Sequence, residues 1–228
     1  KDSSRNSFMI KRMEDLADRT VWAMGKQLKC GDFVPFVFEH KFNMEVGDGD
    51  RKQLMSGTID RVDICENGTD VYVRIIDYKT GKKDFNIVKT YYGIDIQLMV
   101  YMEAAMKLVA KMRPGKNVIP AGVFYYNISD PIVSATTESA EEIEDKIKGE
   151  LRLKGMVNSD KDIAEKMDNT EGTSLNIPVS RKADGGFDSR RSKVMNTEQF
   201  NMLGRFVDVR AVDTADRIAG GDIRRSPY

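Results

Sequence analysis

The chain has 228 residues, 40% hydrophobic and 32% charged, the balance of a folded globular protein with a sizeable core. Lysine plus arginine and aspartate plus glutamate stand at 36 each, which excludes a global positive field, so any nucleic-acid partner has to be held by local groups. One histidine, His40, and two cysteines, Cys30 and Cys65, exclude a disulfide framework, a four-thiolate metal site and most histidine-centred catalysis.

No apolar run approaches the roughly 20 residues that span a bilayer, and the opening "KDSSRNSFMI" has no signal-peptide pattern, so a cytoplasmic protein with reduced, buried thiols and no membrane partner is expected. Phe8, Met9, Met13, Leu16, Ala17, Val21, Met24 and Leu28 recur mostly every three or four residues, which predicts an amphipathic helix stopped at Gly31. "FVPFVFEHKFNMEV", "QLMSGTIDRVDIC" and "DVYVRIID" read as strands. The last two are joined through "ENGT", whose Asn67-Gly68 predicts a two-residue hairpin turn between antiparallel neighbours.

Helical spacing runs from about Ile87 to Met112, Pro114-Gly115 breaks it, and "VIPAGVFYYNI" supplies another strand. The core order is therefore α, β, β, β, α, β. A polar amphipathic helix through "SAEEIEDKIKGELRLKG" is expected to end at Gly155, and "SDKDIAEKM" to form a short one. "SRKADGGFDSRRSK" reads as a Gly-rich basic loop, and Asn196 with Gln199 predicts a capping box that opens a last helix running to Gly220-Gly221.

Chemistry concentrates on the hairpin. An Asn67-Gly68 turn sets Glu66 against Thr69 and position 60 against position 75, which leaves Asp77 diagonal to Asp60. Alternation then projects Asp60, Asp77 and Lys79 from one face. Diagonal neighbours lie about 7 to 8 Å apart, within reach of one shared ion. Two carboxylates on one face repel unless a cation intervenes, and oxygen ligands favour Mg²⁺ or Mn²⁺ over zinc. Such an ion beside a lysine suits hydrolysis of phosphodiesters. Gln97 and Tyr101, one helical turn apart, face the same way on the next helix. Taken singly, Asp77 with Lys79 is a salt-bridged strand end, Asp60 to Asp63 an ordinary edge strand, and Gln97 with Tyr101 a polar contact. Their conjunction in this order points to a site.

"GTIDRVD", "IIDYKTGK" and "QLMVY" together resemble the nuclease motif series of the RecB family within the PD-(D/E)xK superfamily. The flanks "RTVWAMGKQLKCGDFVPFVFEHKF", "IPAGVFYYNISDP", "LRLKGMV" and "IAGGDIRRSPY" resemble the C-terminal nuclease region of the AddB-type subunits of bacterial helicase-nucleases. The resemblance implies a restriction-endonuclease-like α/β core, a mixed central sheet flanked by helices, over residues 1–130, with a C-terminal helical and loop extension over 131–228 packed on it. It implies Asp60 and Asp77 as metal ligands, Lys79 as the catalytic lysine, Gln97 and Tyr101 as support for the metal site or contacts to the strand, and a structural role for Arg61. Glu39, on a neighbouring strand, is placed to approach the metal. Family members add a histidine from an earlier helix; nothing here matches it, and His40 reads as a surface or core residue.

The resemblance further implies a 4Fe-4S cluster held by four cysteines, one upstream and three downstream, at places that neither Cys30 nor Cys65 occupies, so the chain reads as a fragment trimmed at both ends. The activity implied is that of a Mg²⁺-dependent DNA exonuclease domain in double-strand-break repair, partnered by an AddA-type helicase-nuclease subunit. A non-catalytic DNA-channel or subunit-docking module and a Cas4-like nuclease are the alternatives. Lys82-Lys83, Arg181-Lys182 and Arg190-Arg191-Lys193 are candidates to track a DNA backbone, each of them also an ordinary solvated surface when taken alone.

Overall fold

A computed structural model describes residues 4–46, 52–134 and 137–224. The closing residues 225–228 of the family-like terminus lie outside the described part. The elements run α1 (Ser4–Leu28), β1 (Val34–Val46), β2 (Gln53–Asn67), β3 (Asp70–Lys79), α2 (Ile87–Tyr91), α3 (Gln97–Met112), β4 (Asn117–Asn127), α4 (Ala140–Glu150), β5 (Lys154–Asn158), α5 (Lys161–Met167), β6 (Val194–Met195) and α6 (Thr197–Ala219).

The six strands form one sheet in chain order. β1, β2 and β3 pair antiparallel, β3 and β4 are parallel, β5 returns antiparallel to β4, and β6 is parallel to β5. A parallel pair needs a crossover, and α3 supplies it between β3 and β4. α3 brings Leu98, Met99, Met102, Ala105 and Val109, and α6 brings Phe200 and Val207, to one sheet face, where they meet Val62, Val71, Val73, Ile75 and Val123. The opposite face packs Ala23 of α1 and Ile163, Ala164 and Met167 of α5 against Cys65, Tyr72, Ile76, Phe124 and Tyr126. This is the mixed sheet flanked by helices of the restriction-endonuclease-like fold, and no helix of the described residues is long and apolar enough to cross a membrane.

Several local expectations shift. Asn67 pairs with Asp70, so Gly68 and Thr69, rather than Asn67 and Gly68, are the central turn residues. Gly68 has φ 60° and Thr69 does not have positive φ, as in a turn with glycine first. The pairing therefore moves by two residues. Arg61 stands against Ile76, which brings Asp60 level with Asp77 instead of diagonal to it. An even shift leaves face parity unchanged.

The helix expected from Ile87 to Met112 is two. α2 stops at Tyr92, Gly93 takes φ 75°, and α3 begins again at Gln97. Asn86 caps α2 by accepting from Val88 N and Lys89 N. The helix expected to end at Gly155 stops at Glu150, and Gly155 belongs to β5 opposite Phe124. A Cβ there would lie 1.9 Å from the Val123 carbonyl oxygen, so glycine marks a close strand approach and not a helix end. The Asn196–Gln199 capping box is present and α6 runs to Ala219.

Candidate active site

Alternation along β3 sends Val71, Val73 and Ile75 into the core under α3, and Asp77 and Lys79 continue that row toward the strand end. The apolar residues anchor the row; the charged pair emerges where the helix cover thins. Asp77 is 2% exposed, and its Oδ2 lies 2.6 Å from Lys79 Nζ. That oxygen nevertheless has no hydrogen bond of good geometry. Lys79 Nζ instead donates to Gln97 Oε1 (3.2 Å), and Gln97 Nε2 donates to the Tyr101 hydroxyl (2.9 Å). The first turn of α3 thus completes a chain from Asp77 through Lys79 and Gln97 to Tyr101.

Asp60 lies across from Asp77, with its carboxylate accepting from Tyr78 N at 2.7 Å. Burial pushes the Asp77 carboxyl above the ordinary aspartate range; Lys79 opposes that, and the charge of Asp60 adds to it. A buried acid facing a second carboxylate, with one ammonium between them, is a place where a further cation relieves the electrostatics. Mg²⁺ commonly takes one or two carboxylates and fills its remaining positions with water and substrate phosphate oxygens, so this pair fits a hard divalent ion. Among the described residues no third histidine, cysteine, aspartate or glutamate completes a larger metal cluster.

The small residue in "GTIDRVD" has a packing reason. A Cβ on Gly57 would sit 2.9 Å from the Phe42 ring and 3.3 Å from Tyr101. Phe42 and Tyr101 meet edge to face with centroids 5.8 Å apart, and Gly57 leaves room for that contact. Ile59 and Val62, three residues apart, both belong to the α3-side core, so the alternation of β2 changes phase between them. Opposite this step, by continuation of the Phe38–Arg61 and His40–Ile59 pairs, stands Glu39. It is the one non-glycine among the described residues with positive φ, at 48°. Backbone strain of this kind gathers at functional positions, and here it falls level with Asp60. His40 is half-buried beside it on β1.

Three residues that the motif reading did not single out also shape the site. Tyr125 of β4 donates from its hydroxyl to Asp95 Oδ1 (2.8 Å), and Lys83 Nζ lies 2.9 Å from Asp95 Oδ2. Lys79 and Lys83 both lie over the Tyr125 ring, at 5.7 and 5.4 Å. Burial, followed by the neighbouring Asp95, pushes the Tyr125 hydroxyl far above its usual range. Asn127 ties down the loop after Lys79 by accepting from Lys83 N (3.0 Å) and donating to Lys83 O (2.9 Å). No spacing rule links these residues, because they meet only after β4 docks parallel to β3.

Behind the sheet, Arg61 donates to both oxygens of Asp63 (2.6 and 2.7 Å), and Arg74 reaches Asp63 Oδ2 from β3 (2.9 Å). All three are almost wholly buried. The two arginines shift in opposite senses on one carboxylate. Burial works against the charge of Arg61 but Asp63 outweighs it, so its pKa rises; for fully enclosed Arg74 burial wins over Asp63, so its pKa falls. Both stay protonated. This structural role for Arg61 places a rigid clamp one residue from Asp60.

Cys30 and Cys65 are free thiols, and burial raises the pKa of each. A 4Fe-4S cluster takes four cysteine ligands, so these two residues do not by themselves make an iron-sulfur site. Of the basic stretches, Arg181 is turned inward to the carbonyls of Ala164 and Thr170, at 2.8 and 2.7 Å, which removes it from the set of backbone-tracking candidates.

With this geometry in place, comparison with known proteins is direct. A family model described as the PD-(D/E)XK nuclease superfamily matches residues 1–228. The chain is 34% identical over 237 residues to the B-type subunit of the ATP-dependent helicase/deoxyribonuclease of Clostridium botulinum (strain Hall), covering 99% of this chain and 20% of that protein. It is 36% identical over 239 residues to the protein of the same name from Caldanaerobacter subterraneus subsp. tengcongensis, covering 100% and 20%. A third relative with that name, from Lachnoclostridium phytofermentans, is 35% identical over 236 residues, covering 99% and 20%. The chain spans about a fifth of the length of these curated relatives. A sheet that sets two aspartates level, a lysine two residues beyond the second, and a matching family profile over every residue agree: the chain belongs to the PD-(D/E)XK nuclease superfamily.

Proposed function

We propose that this chain is the Mg²⁺- or Mn²⁺-dependent exonuclease domain of a helicase-nuclease that processes DNA ends in double-strand-break repair, working with an AddA-type helicase-nuclease subunit. The observation that carries the reading is the buried Asp77 carboxylate, ion-paired with Lys79 and level with Asp60 across the hairpin. The names of the curated relatives, each a helicase/deoxyribonuclease subunit, support DNA as the substrate and a second subunit as partner.

Asp60 and Asp77 would hold the ion. The ion supplies a lowered pKa for an attacking water and charge neutralisation at a phosphoryl oxygen. The chain's own residues do the rest. Lys79 presents an ammonium beside the carboxylate pair, where it offsets the negative charge that grows on the phosphate in the transition state. Gln97 holds that ammonium through its carbonyl oxygen, and Tyr101 fixes the amide from the other side, so the lysine keeps one direction. Asp77 draws Lys79 back until substrate competes for it.

The test is Asp77→Ala in the intact assembly, assayed on linear DNA with a divalent ion. Cleavage of the strand that this domain cuts is expected to be lost, with any cutting by the partner subunit left in place, while helicase turnover and strand binding persist. Cleavage at the wild-type rate would remove the catalytic assignment and leave the channel or docking module as the better reading.

A further inference from the structure

Between the candidate catalytic lysine and the Gln97–Tyr101 pair, the chain displays more apolar surface than its fold requires. Ile87, Val88, Tyr91, Tyr92 and Ile94 are all exposed, the two tyrosines by 59% and 52%. Among these residues Thr90 alone turns wholly inward. Its hydroxyl contacts the Asn86 carbonyl (3.2 Å) and the Asp95 carbonyl (2.9 Å). The Asp95 carboxylate in turn takes the Tyr125 hydroxyl and Lys83. The short helix is therefore tied through Asp95 to Tyr125, whose ring lies under Lys79.

The rings are also braced. Tyr91 lies nearly parallel to Phe206 of α6, at 6° and 5.2 Å between centroids, and Tyr92 meets Tyr91 edge-on at 5.3 Å. Lys82 and Lys89 flank them, exposed and without an ion pair among the described residues. Exposed rings flanked by ammonium groups suit a single strand, whose bases offer π-faces and whose phosphates offer negative charge. A purely apolar partner would leave those lysines desolvated without counter-charges, which disfavours an apolar protein surface as the occupant.

We infer that Tyr91 and Tyr92, flanked by Lys82 and Lys89, form a base-stacking platform that receives single-stranded DNA beside the Asp77–Lys79 site. The inference rests on the nuclease reading for its choice of ligand. It adds how the strand is held: one or two bases stack on the tyrosines, and the neighbouring phosphates lie along the lysines toward Lys79. No base-edge contact is involved, so the platform accepts any sequence.

The experiment measures anisotropy of a fluorescein-labelled oligothymidylate with the intact protein in EDTA, where no cleavage competes. Tyr91→Ala and Tyr92→Ala are each expected to weaken binding by about 5- to 150-fold, the equivalent of about 1–3 kcal/mol per stacked base. Tyr91→Phe and Tyr92→Phe retain wild-type affinity within about 2-fold, since the ring remains. Unchanged thermal midpoints show that the fold is intact. Alanine variants that bind within about 2-fold of wild type overturn the proposal. So does loss of a co-purifying subunit with the DNA affinity unchanged, which assigns the patch to a protein contact. If Asp77→Ala still cleaves while the tyrosine variants lose the strand, the catalytic assignment fails and the platform stands.

Discussion

Asp63 is the most demanding position in the molecule, because two guanidinium groups share its one carboxylate in a site closed to water. Replacing it by asparagine keeps the shape and removes the charge. Arg61 and Arg74 would then face each other across a neutral amide, both still protonated and neither able to reach solvent. Stranding a buried charge costs about 3–5 kcal/mol. In a domain of this length about 1 kcal/mol moves the thermal midpoint by about 2–4 °C, so Asp63→Asn should lower it by about 6–20 °C. Arg74→Met provides the contrast. It removes the guanidinium whose charge burial already disfavours, and it leaves Arg61 in its two-point contact with Asp63. Its cost should be about 1–2 kcal/mol, mostly the lost hydrogen bond and the stacking over Phe33 at 4.9 Å. Urea titrations of both variants, with circular dichroism as readout, measure the difference. The reasoning is refuted if Asp63→Asn costs under about 1 kcal/mol, or if Arg74→Met proves the more damaging change.

Other outcomes follow from the face toward α3. The raised pKa of Asp77 means that its protonated form contributes stability below the ordinary aspartate value of 3.8, stability that is lost as pH climbs through the higher folded value. Asp77→Asn should therefore raise the thermal midpoint of the protein in EDTA at neutral pH, with the gain vanishing toward acid; a midpoint difference that does not change with pH sinks this account. Added Mg²⁺ should stabilise the wild type and leave Asp77→Asn unmoved, as differential scanning fluorimetry would show, with a logarithmic dependence on ion concentration. Gly57→Ala should displace Phe42 or Tyr101 and reduce cleavage more than it reduces strand binding, which single-turnover kinetics separates from affinity. Gly155→Ala forces a Cβ against the Val123 carbonyl and should lower stability without a selective effect on catalysis, checked by comparing activity per folded molecule.

What could be read ahead of the structure was whatever depends on short-range periodicity. The strand row ending in Asp77 and Lys79, the helix face with Gln97 and Tyr101, and the Asn196–Gln199 box all follow from spacing and alternation. The turn was misplaced by one residue because both Asn67-Gly68 and Gly68-Thr69 offer glycine for positive φ, and strand pairing beyond the turn chose between them. The break at Gly93 was hidden because the apolar spacing on either side stays compatible with one helix, whereas the chain takes φ 75° at Gly93 and holds Asp95 against Tyr125. Tyr125, Asp95 and Asn127 gave no signal, since their meeting depends on the parallel docking of β3 and β4.

The two faces of the hairpin explain each other. On the α3 side, Asp77 and Asp60 are left short of positive charge, an arrangement that favours an ion and strains the empty fold. Such a pair would tend to splay its strands, or to slip by one residue and turn the carboxylates away. On the reverse side, the cluster around Asp63 has two guanidinium groups to one carboxylate, and the two arginines come one from each strand of the same hairpin. A slip that relieved Asp60 and Asp77 would uncouple Arg74 from Asp63 and strand a buried guanidinium. The cost of that error is about 3–5 kcal/mol, enough to outweigh the repulsion of two partly screened carboxylates. Arg61 thus holds the register that Asp60 needs although it points to the other face, and the tight spacing of "DRVD" is the one-dimensional trace of that coupling.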